Sequence, residues 1–203
     1  MKQNFDFPKT DNHFNRQKDR YQFHTLLAAL AFVPEKKIAI DIGGHIGLYS
    51  AALLDSFKRV VAFEPSPINA RCFKKNAPNA KLYEVALGAV AGKTELHIAA
   101  DNTGNNSIVE SFGEEKVSIK VETLDSFEFS NISLIKIDVQ GYEEQVLIGA
   151  KKTISINKPI IIIELITHKN SPPNEAAMKI LTDYSYKTLA VMGKDYIMGP
   201  AIF

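Results

Sequence analysis

The chain has one cysteine, Cys72, among its 203 residues, so no internal disulfide can form. That usage fits a reducing compartment. Neither sign of charge dominates: Lys and Arg total 24, Asp and Glu total 23, and the formal net charge is +1. This balance gives no global electrostatic reason to expect nucleic acid or an anionic membrane as a partner. Long apolar runs are also missing. LLAALAFV at 26–33 and IIIIELI at 160–166 are both too short to span a bilayer, and Glu164 interrupts the second. The opening stretch MKQNFDFPKTDNHFNRQKDR is polar and lacks the apolar centre of a signal peptide. The expectation is a soluble, cytoplasmic protein. Histidines at 13, 24, 45, 97 and 168 are scattered, with no H-E-x-x-H and no cysteine pair, so no metal site is expected. A G-K-[ST] phosphate loop and a G-x-S-x-G nucleophile elbow are absent. So are repeats, low-complexity tracts and linkers, which leaves one domain over 1–203 as the simplest organisation.

The most informative segment present is IAIDIGGHIG at 38–47, followed by FEP at 63–65. An apolar run ends in Asp41, turns through Gly43, Gly44 and Gly47, and leads into a helical pattern. A second apolar run, VVAF, ends in Glu64 about twenty residues later. A strand, a glycine-rich turn, a helix and an acid at the next strand end make a nucleoside-binding unit. The spacing is D-x-G-G-H-x-G rather than G-x-G-x-x-G, with His45 where a dinucleotide loop usually has glycine. This suits a ligand whose amino acid end meets the turn, with Asp41 facing an ammonium group or orienting the turn amides. A turn used only for tight packing is the bland alternative. Glu64 can accept hydrogen bonds from both hydroxyls of a ribose. Pro65, Ser66, Ala86 and Leu87 would border the base.

The remainder alternates strands and helices. Residues 1–19 read as a loose arm and 20–33 as a helix, so that 1–34 is expected to cap the substrate side of a 38–203 core. Strands are expected at 38–41, 60–64, 81–88, 133–139 and 159–165. Helices are expected over 46–56, from 67 onward, over 142–155, and over 174–185 with Asn174 as its N-cap. Two alternating runs, 94–99 and 117–124, read as a hairpin-like insertion, and two strands close the chain as an antiparallel pair. The fold class is therefore α/β, a doubly wound, mostly parallel seven-stranded sheet with an antiparallel C-terminal edge and a small β-hairpin insertion.

A second acidic group gathers at later strand ends. In SLIKIDVQGYE, Leu134, Lys136 and Asp138 share one side of a strand, and Gln140, Gly141 and Glu143 follow in the turn. Glu164 ends the next strand, with His168 just beyond. Strand ends are where open α/β sheets place ligands, so Asp138, Glu164 and His168 are candidates for one cleft. Lys136 reads better as a counterion than as a catalyst, and Glu143 as a charge at a helix start.

AIDIGGHIGLYS, VVAFEPSPIN, EVALG, TLDSF, IKIDVQGYEEQVLIGA and KPIIIIEL, taken in this order, resemble FkbM-type methyltransferases, S-adenosylmethionine-dependent enzymes of the Rossmann-like class I fold. The resemblance implies that Asp41, Gly43, Gly44 and Gly47 belong to the loop holding the methionine part of S-adenosylmethionine, and His45, within that loop, is a further cofactor-binding candidate. It also implies that Glu64 binds the ribose, that Ala86 lies near adenine, and that Asp138 lies near the methyl-transfer site. The family commonly has Asn where His45 stands and often Glu where Gln140 stands. By analogy the acceptor is a hydroxyl on a sugar or small natural product, with Asp138, Glu164 and His168 as candidate bases. The loop Asn102–Ser107 and the N-terminal helix would cover that acceptor; Tyr21 and His24 would line that side, and core packing explains them equally well. An NAD(P)-dependent oxidoreductase and a non-catalytic binding protein are the competing readings; His45 and the lack of a Tyr-x-x-x-Lys arrangement weigh against the first.

Overall fold

Apolar runs buried on both faces and the helices between them build one twisted sheet. The computed structural model describes residues 5–9, 11, 23–99, 102–109, 115–165 and 175–201. In chain order the elements are α1 (Phe23–Leu30), β1 (Ile38–Ile42), α2 (Leu48–Leu54), β2 (Arg59–Phe63), α3 (Pro67–Asn76), β3 (Lys81–Tyr83), β4 (Ala86–Leu87), β5 (Gly92–His97), β6 (Lys116–Glu122), β7 (Ile132–Ile137), α4 (Glu143–Ile148), α5 (Lys151–Asn157), β8 (Ile160–Glu164), α6 (Glu175–Asp183), β9 (Tyr186–Met192) and β10 (Asp195–Pro200). The main sheet has the order β3-β2-β1-β7-β8-β10-β9. Its first five strands are mutually parallel, and β10 runs antiparallel to both β8 and β9. The sheet is thus doubly wound with an antiparallel C-terminal hairpin at its edge, as the alternation implies.

Strand alternation sorts the core into two layers. Ile40, Ile42, Val61, Phe63, Ile135, Ile137, Ile161 and Ile163 pack with Val146, Leu147, Ile154 and Leu181 of α4, α5 and α6. On the opposite face Ala39, Val60, Leu134, Ile160, Ile162 and Ile197 pack with Leu26 and Ala29 of α1 and with Tyr49 and Leu53 of α2. Reversal of strand order between β1 and β7 leaves a crevice at their C-terminal ends, the expected place for a ligand.

Two elements differ from the sequence reading. KLYEVALG (81–88) is not one strand. Lys81–Tyr83 extends the main sheet beside β2, whereas Ala86–Leu87 pairs with β6 in a second sheet of order β4-β6-β5. The hairpin of β5 and β6 is therefore two thirds of a three-stranded sheet with its own apolar centre of Ala86, Leu96, Ile98, Ile119 and Val121. The run 142–155 is likewise two helices. A Cβ at Gly149 would lie 2.0 Å from the Gly88 carbonyl oxygen, so the first helix ends against the start of the small sheet. The second restarts under a cap of its own: both carboxylate oxygens of Asp125 accept from its first turn, from Lys152 N at 3.0 Å and Thr153 N at 2.7 Å. Asn174 lies outside the described residues.

Candidate active site

A cavity of about 260 Å³ opens at the crevice. One half of its wall is apolar, from Ile42, Phe63, Val85, Ala86, Leu87, Leu96 and Ile108. The polar half carries His45, Glu64, Asn69, Thr103, Asp138, Gln140, Glu164 and Lys194. This mixture of flat apolar wall and a few convergent polar groups is that of small-molecule sites, and the volume lies just below their usual range of roughly 300–1,000 Å³.

Glu64 follows the last residue of β2 and is buried. Its Oε2 accepts from His45 N at 2.9 Å, and its Oε1 accepts from Ser66 N at 2.9 Å and Asn69 Nδ2 at 3.4 Å. A carboxylate has about four acceptor positions, so one remains open to a hydroxyl donor, and a second hydroxyl would displace the long Asn69 contact. Burial pushes the Glu64 carboxyl up to about 7, although these three donors pull the other way. His45 holds the turn in a left-handed conformation (φ 49), which brings its amide onto Glu64.

The glycines of the turn face protein. A Cβ on Gly43, at φ +82, would lie 1.9 Å from the carbonyl oxygen of Asp138. At Gly44 and Gly47 it would press on Phe73 at 3.0 and 3.1 Å. The amides of Gly43 and Gly44 both donate to Phe63 O at 3.0 Å. Packing of β1, β7 and α3 therefore accounts for the Cβ positions of all three, and only Gly43 reaches the cavity wall. Asp41 departs from the expectation more clearly. It is fully buried beneath the turn, accepts from Ser50 Oγ at 2.7 Å, and lies 3.7 Å from Lys136 Nζ. β1 points its side chain into the sheet face occupied by Lys136, so Asp41 neither lines the cavity nor touches the turn amides. Burial raises its carboxyl, and Lys136 and Ser50 partly offset this.

At the other end, Asp138 is met by Lys136 Nζ at 3.2 Å and by Gln140 Nε2 at 2.8 Å; the same Gln140 nitrogen lies 3.2 Å from Glu164 Oε2. Antiparallel pairing of β10 with β8 sets Asp195 opposite Glu164. The Lys136 ammonium lies against Asp41 and Asp138, with Glu164 and Asp195 in the same acidic group, and a buried cluster with fewer cations than carboxylates holds an extra proton most easily. Lys136 contacts Asp138, so the proton sits on Glu164. Glu164 rises to about 8 through burial and the adjacent Asp138 charge, whereas Lys136 and hydrogen bonds from Glu164 and Gln140 outweigh burial and hold Asp138 below the usual range. Lys136, at 3% exposure, has the counterion role expected of it, and also lies 5.0 Å from the Tyr49 ring centroid. Glu143, buried, accepts from Val139 N at 3.3 Å and Gly141 N at 3.1 Å and so fixes the turn carrying Gln140.

The cavity brings together His45, Gly43, Glu64, Pro65, Ala86, Leu87, Asp138 and Glu164. Ser66 sits behind Glu64, fully buried, and acts through its amide. His24 is solvent-exposed on α1, and His168 and Tyr21 lie outside the described residues. The cavity also includes Asn69, Thr103 and Lys194, which sequence reasoning did not single out; only the loop Asn102–Ser107 carried a signal, its density of turn residues. Among the described residues no group of His, Cys, Asp and Glu could hold a metal ion, and no helix is long and apolar enough to cross a membrane.

A family model for the methyltransferase FkbM domain matches residues 41–188. The chain belongs to the FkbM methyltransferase family. S-adenosylmethionine is the methyl donor of this family. An FkbM methyltransferase from Methylobacillus flagellatus KT superposes with a TM-score of 0.56 at 20% identity, covering 81% of this chain and 43% of that one. The present chain thus spans less than half the length of that relative. A ribosomal protein L11 methylase from Lactobacillus delbrueckii subsp. bulgaricus gives 0.56 at 12% identity, covering 93% of this chain and 79% of that one. A precorrin-6y C5,15-methyltransferase from Geobacter metallireducens GS-15 gives 0.51 at 14% identity, over 86% and 85%. These likenesses establish the fold. No curated protein matches the chain.

Proposed function

We propose that this FkbM-family protein transfers a methyl group from S-adenosylmethionine to a hydroxyl of a sugar or small natural-product-like acceptor. The observation that carries the reading is one cavity with Glu64 at one end and the Asp138–Gln140–Glu164 group at the other. The residues present suit the cofactor. Glu64 has an acceptor position for a ribose hydroxyl, Ala86, Leu87 and Leu96 offer an apolar slot for a purine, and Gly43 and His45 on the cavity wall would border the methionine part. Bound S-adenosylmethionine supplies a methyl carbon already activated on sulfur, so the protein's task is chiefly alignment of the acceptor oxygen. Transfer exchanges a C–S bond for a C–O bond and releases the hydroxyl proton. Asp138 is the proton acceptor in this reading. Glu164, with its carboxyl near 8, carries a proton at neutral pH and acts as a donor to its neighbour rather than as a base.

Calorimetry with S-adenosylmethionine and S-adenosylhomocysteine tests the donor, and absence of binding by well-folded protein would sink the reading. Incubation with labelled S-adenosylmethionine and cell extract, followed by mass spectrometry, identifies the acceptor; a label found only on nucleic acid would overturn the acceptor class. A pH dependence follows as well. The ribose hydroxyl donates to Glu64, so binding favours the carboxylate and proceeds with proton release. Cofactor affinity is therefore expected to rise with pH through about 7, by about tenfold between pH 6 and pH 8. Titrations in buffers of different ionisation enthalpy measure this directly, and a flat profile would remove Glu64 from the ribose site.

A further inference from the structure

Among the described residues of the N-terminal segment, Asp11 touches the 102–107 loop in the cavity wall. Asp11 is 1% exposed. Its Oδ2 accepts from Thr103 N at 3.1 Å and from Thr103 Oγ1 at 2.7 Å, 92 residues away in sequence. Thr103 Oγ1 in turn lies 2.9 Å from His45 Nε2. A threonine hydroxyl has one hydrogen, and here it goes to the carboxylate. His45 must then donate from Nε2, and the chain of bonds has one direction, from ring to hydroxyl to carboxylate. Burial keeps the ring neutral by lowering His45 to about 4.

Both ends of this chain are anchored. Upstream of Asp11, Asp6 exchanges two hydrogen bonds with the Asn76 amide, at 2.7 and 2.9 Å, while Phe5 and Phe7 pack on Ile46 and Leu48. Downstream, the 102–107 loop is tied across the cavity. Asn69 Nδ2 donates to Thr103 O at 3.3 Å, and Ser107 Oγ donates to the Gln140 carbonyl at 2.9 Å. The loop thus touches the cofactor turn at one end and the acidic group at the other, and Thr103 lines the cavity between.

We infer that Asp11 is a positioning residue of the cofactor site: through Thr103 it clamps the 102–107 loop and the His45 ring over the cavity, so that the N-terminal segment governs how fast cofactor leaves. The clamp stands on the Asp11–Thr103–His45 bonds alone; its effect on cofactor rests on the function proposed above. The His45 ring spans the distance from the cofactor turn to Thr103.

The test uses the full chain with Asp11→Ala and Thr103→Val. Hydrogen exchange on the ligand-free protein is expected to quicken at the 102–107 amides in both variants while β7 keeps its protection. S-adenosylhomocysteine is expected to dissociate about tenfold faster from both, with little change in association rate. The double variant is expected to match Asp11→Ala alone, because both substitutions break one chain of bonds. Unchanged exchange at 102–107 in folded Asp11→Ala would overturn the inference, as would unchanged dissociation where the wild type binds. Should the wild type bind neither nucleoside, the donor assignment fails by itself, and the exchange result still decides the clamp. A uniform loss of protection that includes β7 would reduce Asp11 to a general stability role and also overturn it. Thr103→Val, which preserves shape, guards against failure of the alanine variant to fold.

Discussion

Lys136→Met is expected to destabilise the protein by about 3–5 kcal/mol near pH 8, the usual consequence of removing one partner from a buried ion pair. Lys136 is 3% exposed and its ammonium lies 3.2 Å from Asp138 and 3.7 Å from Asp41. Methionine fills a similar volume but leaves those carboxylates, and the neighbouring Glu164 and Asp195, with no cation among them. The deficit should depend on pH in a definite direction. Without Lys136 the cluster's folded-state carboxyls lie above their unfolded values, so the native state binds more protons than the unfolded chain once pH exceeds about 4. Stability then falls as pH rises, and the variant should be closer to wild type at pH 5.5 than at pH 8. Urea unfolding at both values measures this; an unchanged midpoint at pH 8 would contradict the counterion role. Loss of the Tyr49 contact at 5.0 Å adds a smaller, pH-independent cost.

Gly43→Ala should be as damaging, for a different reason. Its Cβ would sit 1.9 Å from the Asp138 carbonyl oxygen, a backbone atom in the strand register between β1 and β7. The Asp138 amide already donates to Ile42 O at 3.0 Å, so the two chains cannot separate without losing that bond. The φ of +82° adds the left-handed penalty, about 1–2 kcal/mol. Gly141→Ala is the control. Its φ is +97°, yet nothing lies within 4 Å of the added carbon. It should therefore cost roughly the backbone penalty alone, while Gly43→Ala should fail to give soluble folded protein or melt far below it. Equal melting of the two variants would show that the close approach is not what demands Gly43.

These cases mark how far the sequence could be read. Strand ends at Glu64 and Asp138 were legible because apolar runs stop there and acids begin. The glycine turn was legible as a site but not in its inner working: D-x-G-G-H-x-G looks alike whether the missing Cβ makes room for ligand or for Asp138 O. KLYEVALG hid a change of sheet because both halves are apolar and extended, and only pairing partners 35 residues downstream separate them. Amphipathic periodicity likewise runs through Gly149 unbroken, although Asp125 starts a new helix beyond it. The Asp11–Thr103–His45 chain had no local signature at all, since it joins three segments that meet only when the sheet has formed.

The small sheet closes on itself. The chain enters at Ala86–Leu87 and departs at Val121–Glu122, and those two pairs are adjacent strand neighbours, about 5 Å apart by strand geometry. Everything between them, including the loop over the cavity, is a cassette whose two connections share one doorway in the scaffold. Lengthening or replacing it need not move β3 or β7, so the loop over the cavity is free to change between relatives while the parallel sheet that ends in Glu64 and Asp138 stays as it is.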